Sequence, residues 1–324
     1  MAFYIVIFLF LVSMFVLAWL SSHMVKSLVG MAKYLHWREF IVAFFVMSIA
    51  GSLPNLFIDI NAALHGLPNL AFGDILGGNL VDLTIVMAIA IFMNKGSIEA
   101  NSRMIQSSAV FTSIIAVLPL LLIWDGRLDW TDGIILIASF VFYVVWLFSK
   151  SERFKKGYAG RPQKAVQGFS GFLKNLIKIV VLLLLLLGAS QVVIMSAQYF
   201  STQLGISLSL VGVLIVGLAN CFPETYFAIV SAKNEEGYMI LGDLMGSVIV
   251  CATLVLGIVA IISPFTIDDF SPFLIARAFM IMAAVFFIVI IKSGRKLTKK
   301  EGLFLMFLYI VFLLTEIFLP YILK

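Results

Sequence analysis

The sequence predicts an all-α membrane protein with about ten transmembrane helices, arranged as two inverted repeats of five helices each. Three observations lead to this fold class. The composition is strongly apolar, apolar stretches long enough to cross a bilayer recur along the whole chain, and the chain matches itself at one fixed offset. Together these features exclude a water-soluble globular domain.

The composition is that of a chain whose main solvent is lipid. Of its 324 residues, 62% are hydrophobic and only 12% are charged, and the mean hydropathy is +1.12. Soluble domains carry roughly 25% charged residues. The net charge of +5 could suggest nucleic-acid binding, but the Lys and Arg residues lie in short loops between apolar stretches, where they fix topology. The predicted partner is therefore the lipid bilayer, and a nucleic-acid partner is not expected.

Ten apolar stretches, separated by polar breaks, are compatible with membrane-spanning helices, which need about 20 residues each. The predicted spans are 2–22, 38–64, 69–93, 103–124, 130–149, 171–199, 205–231, 237–263, 271–292 and 301–323. The extended polar segment 150–170 falls near the middle of the chain and separates a first five-helix half, 1–149, from a second, 171–324. We interpret this basic segment as a linker between the halves.

The loop charges predict an orientation. If the ten spans alternate, basic residues at 26–38, 95–103, 150–178 and 292–300 share one side, and acidic residues at 125–132 and 268–269 share the other. Because positively charged loops stay in the cytoplasm, both termini are expected outside and the 150–170 linker inside. The chain has no large regulatory insertion, which favours a prokaryotic plasma membrane.

Two segments of the chain match each other at an offset of 169 residues, without a gap. Pro54 falls on Pro223, Gly73-Asp74 on Gly242-Asp243, Gly77 on Gly246 and Thr84 on Thr253. Because an odd number of spans separates the copies, the second must cross the membrane in the opposite sense. Inverted repeats with Gly- and Pro-interrupted helices are typical of transporters with a site near the bilayer midplane. We therefore expect helix breaks at 51–54 and 220–223.

Acidic residues occur within predicted spans, where a charged side chain costs about 2.5–3.5 kcal/mol on insertion scales. They are Asp59, Asp74, Asp82, Glu224, Asp243 and Glu316. All except Glu316 belong to the repeats, and Glu316 is interpreted as a peripheral hydrogen-bonding group. The repeats thus supply oxygen ligands of the kind that Ca²⁺ prefers. The candidate cation ligands are Glu224, Asp82, Asn55, Ser52, Ser247, Asp59, Asp243 and Asp74.

The matched Gly-Asp pairs leave other roles open. Asp74 and Asp243 fit a structural role almost equally well, as groups that bond a neighbouring helix break. They also fit an intramembrane aspartyl protease, in which two Asp residues share a proton, although the Tyr-Asp and Gly-x-Gly-Asp signatures are missing. Cys221 and Cys251 match neither a disulfide framework nor a zinc spacing, so we expect them to pack as small residues.

The two repeats resemble the alpha-repeats of the sodium/calcium exchanger superfamily, whose pattern is approximately G-T-S-x-P-E followed by G-N-x-x-G-S-N. The corresponding segments here are GSLPN at 51–55 with GDILGGN at 73–79, and CFPE at 221–224 with GDLMGS at 242–247. In the family, the residue after each Pro is a Glu that coordinates calcium; here these positions hold Asn55 and Glu224. Asp82 stands where the family commonly has an amide. Gly78, Cys221 and Cys251 replace polar groups.

The resemblance implies a cation antiporter that moves Ca²⁺ or a similar cation in exchange for Na⁺ or H⁺ by alternating access, with binding centred on Glu224 and Asp82. It implies no enzyme and no cofactor, because the inorganic cations are the cargo. Proton coupling has comparable weight to sodium coupling, since a desolvated carboxylate can trade a cation for protons. Asn55, Gly78 and Cys251 motivate the alternative of a degenerate exchanger fold that senses ions or scaffolds partners without transport.

Overall fold

The computed structural model describes residues 3–34, 50–149, 168–235, 237–267 and 271–322, which form ten helices and four two-residue strands. The helices are α1 Phe3–Tyr34, α2 Ala50–Leu64, α3 Pro68–Met93, α4 Arg103–Leu122, α5 Trp130–Ser149, α6 Gly168–Leu204, α7 Leu208–Lys233, α8 Gly237–Ile262, α9 Ser271–Ser293 and α10 Lys299–Ile322. In this described part, nine helices are long and apolar enough to cross a membrane. The predicted helical membrane protein is confirmed.

The predicted spans agree with these helices except in three places. Helix α1 continues to Tyr34 instead of ending at residue 22, and α6 continues to Leu204 instead of residue 199. The predictions ended each span where the apolar stretch stops, whereas the helical hydrogen bonds of α1 and α6 continue into the more polar residues that follow. The second span is described only from Ala50, so its first part, 38–49, lies outside the described residues, as do linker residues 150–167 and loop residues 268–270.

Three of the long helices contain a π-helical segment. Helix α3 contains one at Asp82–Val86, α7 at Gly212–Val216 and α8 at Val250–Val255. The segments of α3 and α8 occupy equivalent positions of the two repeats. A π-helical segment inserts an extra residue into the turn and is frequent at functional sites, because it redirects the side chains on one face.

The expected helix breaks are only partly present. Helix α7 turns at Cys221, where φ is −81° and ψ is 4°, and Pro223 then opens the next helical segment, where its missing N–H costs no bond. The break expected at 51–54 is wrong, since α2 is helical from Ala50 through Pro54. A membrane helix tolerates an internal proline when neighbouring groups satisfy the freed carbonyl.

The helix packing follows the repeat. In the repeat, helices α1 to α5 correspond in order to helices α6 to α10. Helix α1 packs along its counterpart α6, and α4 packs along its counterpart α9. The contact between α2 and α8 corresponds to that between α7 and α3. Likewise, the contact between α5 and α8 corresponds to that between α10 and α3. Replacing every helix by its repeat counterpart reproduces these contacts. The two halves are therefore interlocked around α2, α3, α7 and α8.

Two short strand pairs show that the halves are inverted. The strands are β1 Ile98–Glu99, β2 Arg127–Leu128, β3 Phe265–Thr266 and β4 Lys296–Leu297. β1 pairs with β4, and β2 pairs with β3. β1 precedes α4 and β2 follows it, so the two pairs lie at opposite ends of the bundle. β2 and β4 are repeat counterparts, and their separation to opposite ends is what an inverted repeat requires.

The backbones of α3 and α7 touch at glycines of α3. A Cβ atom at Gly77 would overlap the carbonyl oxygen of Val213, and one at Gly73 would overlap the carbonyl oxygen of Ser209. The four-residue spacing places both glycines on one helix face, as in other membrane helix pairs that pack through small residues. This contact brings the second repeat against the first where the acidic residues of α3 lie.

We expect Gly77→Ala to lower the free energy of unfolding by about 1–3 kcal/mol, because the added methyl group has to push two backbones apart. Thermal unfolding of the purified protein in detergent measures the change. Gly188→Ala is the matched control, since a Cβ atom at Gly188 in α6 meets no atom within 4 Å. Equal melting temperatures for the two variants would contradict the close contact.

Candidate functional site

All eight predicted ligands are buried, with at most 6% of each residue exposed, and all lie on the four central helices. Ser52, Asn55 and Asp59 are on α2, Asp74 and Asp82 on α3, Glu224 on α7, and Asp243 and Ser247 on α8. The structure gathers their carboxyl groups into two neighbouring groups. Among the described residues, no three His, Cys, Asp or Glu side chains converge as a preformed metal site.

The first group, called here the Glu224 group, consists of Glu224, Asp82, Asp243 and Ser247. Asp82 and Asp243 are the acidic neighbours of the Glu224 carboxyl group. Ser247 lies beside both Glu224 and Asp82. The group thus joins α7 and α8 of the second repeat to α3 of the first.

The second group, called here the Asp59 group, consists of Asp59, Asp74 and Asn220. The carboxyl group of Asp59 lies beside that of Asp74. The side-chain amide of Asn220 donates a hydrogen bond to Asp74 Oδ2 over 2.5 Å. Asn220 ends the helical segment before the turn at Cys221, so Asp74 bonds a neighbouring helix break. Asn220 was not among the predicted ligands, although its position at the expected break could have indicated it.

A third polar contact is the repeat counterpart of the Glu224–Asp82 pair. Asn55 Nδ2 donates to Cys251 Sγ over 3.3 Å, and these residues are the counterparts of Glu224 and Asp82. The inverted repeat therefore contains equivalent pairs, the acidic pair Glu224 and Asp82 and the neutral pair Asn55 and Cys251. Cys221, beside Asp82, donates to the carbonyl oxygen of Gly78 over 3.4 Å, so both cysteines are more than packing residues.

The two groups and the neighbouring Asn55 contain buried oxygen atoms without a hydrogen-bond partner among the described residues. These atoms are Asn55 Oδ1, Asp59 Oδ1 and Oδ2, Asp74 Oδ1, Asp82 Oδ1, Asn220 Oδ1, Glu224 Oε1 and Oε2, and Ser247 Oγ. Each unpaired buried polar atom costs about 1–3 kcal/mol, and more when it is charged. Nor does any acid of the two groups form an ion pair within the described ranges. The negative charge of these buried carboxyl groups has to be neutralised by a bound cation or by protons.

The π-helical segments of α3 and α8 carry Asp82 and Cys251, respectively, and each segment also contains a threonine that bonds the helix backbone. The hydroxyl group of Thr84 donates to the carbonyl oxygen of Leu80, and that of its counterpart Thr253 donates to the carbonyl oxygen of Ile249. A threonine that bonds the carbonyl four residues back competes with the helical ladder. Asp82 is the first residue of one π-helical segment, and Cys251 lies in the other. The matched threonines were visible in the sequence, but the π geometry was not predicted.

Two further predictions concern Asp74, Asp243 and Glu316. Asp74 neighbours Asp59, whereas Asp243 neighbours Asp82, so the two matched Asp residues do not face each other as a protease dyad requires. Glu316 lies apart from the predicted ligands, but it is buried in α10, and its Oε2 has no hydrogen-bond partner among the described residues. Its carboxyl group has no acidic neighbour and belongs to neither group.

Relatives of the chain include bacterial and archaeal membrane proteins. The inner membrane protein YrbG of Escherichia coli is 25% identical over 260 residues, which cover 79% of this chain and 78% of that protein. The sodium/calcium exchanger MaX1 of Methanosarcina acetivorans is 21% identical, covering 90% of this chain and 93% of that protein.

A solved structure shows the same fold. The H⁺/Ca²⁺ exchanger CAX superposes with a TM-score of 0.73 at 18% identity, covering 95% of this chain and 82% of the other. The model of the sodium/calcium exchanger protein family matches residues 5–149 and 174–318, which include both repeats. The chain therefore belongs to the sodium/calcium exchanger family.

Proposed function

We propose that this protein is a cation antiporter that moves Ca²⁺ across the membrane in exchange for Na⁺ or H⁺. The observation that carries the proposal is the set of buried oxygen atoms without partners at the junction of the two inverted repeats. Cation binding there neutralises the acids and satisfies these atoms. The surrounding helices then expose the site to either side of the membrane in turn, as alternating access requires.

The Glu224 group is the proposed Ca²⁺ site. Its atoms are carboxylate and hydroxyl oxygens, the ligands that a hard cation prefers, and Ca²⁺ takes six to eight of them in a flexible arrangement. The two carboxyl groups of Glu224 and Asp82 balance one divalent ion. Asn55 and Ser52 on α2 extend the oxygen set from the opposite repeat. The names of MaX1 and CAX, a sodium/calcium and an H⁺/Ca²⁺ exchanger, agree with a calcium cargo.

The counter-ion has to neutralise the same acids when Ca²⁺ leaves. Asp59, Asp74, Asp82, Glu224 and Asp243 are buried without a basic partner among the described residues, and like charges this close repel strongly in a bilayer. Sodium ions or protons perform this neutralisation, and the Asp59 group supplies additional oxygens beside the Ca²⁺ site. Gly78 and Cys221, where the family has hydroxyl groups, remove two sodium ligands and favour protons.

The proposed orientation follows from the charges at the two ends. Lys95, Arg103, Lys292 and Lys296 lie at the end of the bundle that carries the β1–β4 pair, whereas Asp125, Asp129 and Asp132 lie near β2. By the positive-inside rule, the β1–β4 end faces the cytoplasm and both termini lie outside. The relatives from a bacterium and an archaeon support a prokaryotic plasma membrane.

The function is tested by radiolabelled calcium uptake into liposomes under an imposed sodium gradient and, separately, a proton gradient. We expect one gradient to drive uptake. Glu224→Gln and Asp82→Asn should each lower the rate by roughly two orders of magnitude, because removing one of two buried charged ligands costs on the order of 3 kcal/mol, at about 1.4 kcal/mol per tenfold.

Glu316→Gln is the matched control for uptake, since it also removes a buried carboxyl group from a membrane helix, but outside both groups. It should retain most of the uptake. Calcium binding without gradient-driven uptake would favour an ion sensor over an antiporter. The absence of both binding and uptake would overturn the proposed calcium cargo.

Stability measurements separate the ion ligands from the groups that hold the site. Asn220→Leu should lower the free energy of unfolding by about 1–3 kcal/mol, since it removes the hydrogen-bond donor of the buried Asp74. Glu224→Gln should leave thermal stability unchanged or raise it, because both oxygens of Glu224 lack a hydrogen-bond partner among the described residues. Melting curves in calcium-free buffer compare the two variants. Destabilisation by Glu224→Gln as large as that by Asn220→Leu would contradict the ligand role of Glu224.

A further inference from the structure

A groove runs along α4 at the surface of the bundle, and none of its described lining residues belongs to the Glu224 or Asp59 group. Its first part, of about 250 Å³, is lined by Arg103, Gln106, Ser107, Val110 and Lys292. Its second part, of about 300 Å³, is lined by Ser107, Val110, Phe111, Ile114 and Trp146. The two parts share Ser107 and Val110 and are therefore continuous.

The polar end of this groove is basic. Arg103 begins α4 and Lys292 lies near the end of α9, so both flank the β1–β4 strand pair. Both side chains are exposed, and neither forms an ion pair within the described residues. The ion pairs near this end join Lys95 to Glu235 and Lys296 to Glu99. None of the described residues that line the groove is acidic. Two cations in one pocket repel each other unless an anion lies between them.

The other end of the groove is apolar and faces the membrane. Ile114 is 59% exposed, and the rings of Phe111 and Trp146 pack with centroids 4.6 Å apart and planes inclined by 46°. From Arg103 to Ile114, α4 rises by roughly 16 Å, at about 1.5 Å per residue. An acyl chain attached to an anion at Arg103 would therefore run along α4 into the hydrocarbon layer.

The inverted repeat provides an internal comparison. The counterparts of Arg103, Gln106 and Lys292 at the opposite end of the α4–α9 pair are Pro272, Ile275 and Ile123. The fold therefore does not require charged or hydrogen-bonding side chains at this position of the helix pair. The positive-inside rule accounts for basic residues at this end, but not for their convergence with Gln106 on one groove.

We propose that the groove between α4, α5 and α9 binds an anionic phospholipid, with its phosphate group between Arg103 and Lys292 and one acyl chain against Val110, Phe111 and Trp146. Basic pockets between membrane helices recognise acidic headgroups in this way. Gln106 and Ser107 add hydrogen-bond donors for the phosphate or glycerol oxygens. The bound lipid bridges α4 to α9, two helices that are repeat counterparts, at the end opposite the hydrogen bond from Arg277 Nη2 to the Leu120 carbonyl oxygen.

Lipid titration of the purified protein in detergent, followed by native mass spectrometry, tests the site with dioleoyl phosphatidylglycerol and dioleoyl phosphatidylcholine. The wild-type protein should prefer phosphatidylglycerol. The Arg103→Gln/Lys292→Gln variant should lose roughly 25-fold in apparent affinity for it, about fivefold for each charge. Affinity for phosphatidylcholine should change little.

Lys299→Gln/Lys300→Gln is the matched control, because it removes two exposed positive charges from the same end of the bundle, outside the groove. It should keep the preference for phosphatidylglycerol. Equal losses in both double variants, or no loss in either, would overturn the proposal. Val110→Trp fills the apolar part while it keeps both cations, and it should also weaken phosphatidylglycerol binding; unchanged binding would count against the proposed chain position.

Two further probes distinguish a lipid from a free anion. Inorganic phosphate and chain-free glycerophosphoglycerol should not displace phosphatidylglycerol at concentrations comparable to that of the lipid. Displacement by either would show that the two cations bind a phosphate group alone, and it would overturn the lipid site.

Discussion

The structure depends on the burial of carboxyl groups where neither water nor lipid can compensate them. Asp59, Asp74, Asp82 and Glu224 are almost completely enclosed by four helices, and several of their oxygens have no protein partner. A bilayer makes this arrangement expensive. The backbones of α3 and α7 meet at Gly73 and Gly77, and this contact holds the acids of α3 against the second repeat. Close packing and the proposed ion binding therefore involve the same central helices.

The protein has a symmetric scaffold and an asymmetric site. Strand pairs, helix contacts and the Thr84 and Thr253 hydrogen bonds all occur in both repeats. The acids do not, since Glu224 and Asp82 meet on one side of the pseudo-symmetry axis and Asn55 and Cys251 on the other. Inverted symmetry supplies two similar conformations for alternating access. The asymmetry brings the acids Glu224 and Asp82 together, as in the Ca²⁺ site proposed above.

The outer groove also combines a symmetric helix pair with side chains that differ between the repeats. Helices α4 and α9 are counterparts that pack along each other, yet only one end of the pair carries Arg103 and Lys292. An anionic lipid there would contact a scaffold pair and none of the ion ligands. Lipid binding would then act on helix packing without altering the chemistry of the cation site.

The sequence by itself determined the membrane environment, the ten-helix plan, the inverted repeat and the acidic residues, because hydropathy and repetition are local or periodic properties of the chain. Only the tertiary structure decided which acids meet. It separated the predicted ligands into the Glu224 and Asp59 groups, added Asn220, kept α2 helical through Pro54 and placed Asp82 on a π-helical segment. These features arise from contacts between different helices, such as the hydrogen bond from Asn220 to Asp74, and from changes of the hydrogen-bond ladder, neither of which leaves a periodic signal in the sequence.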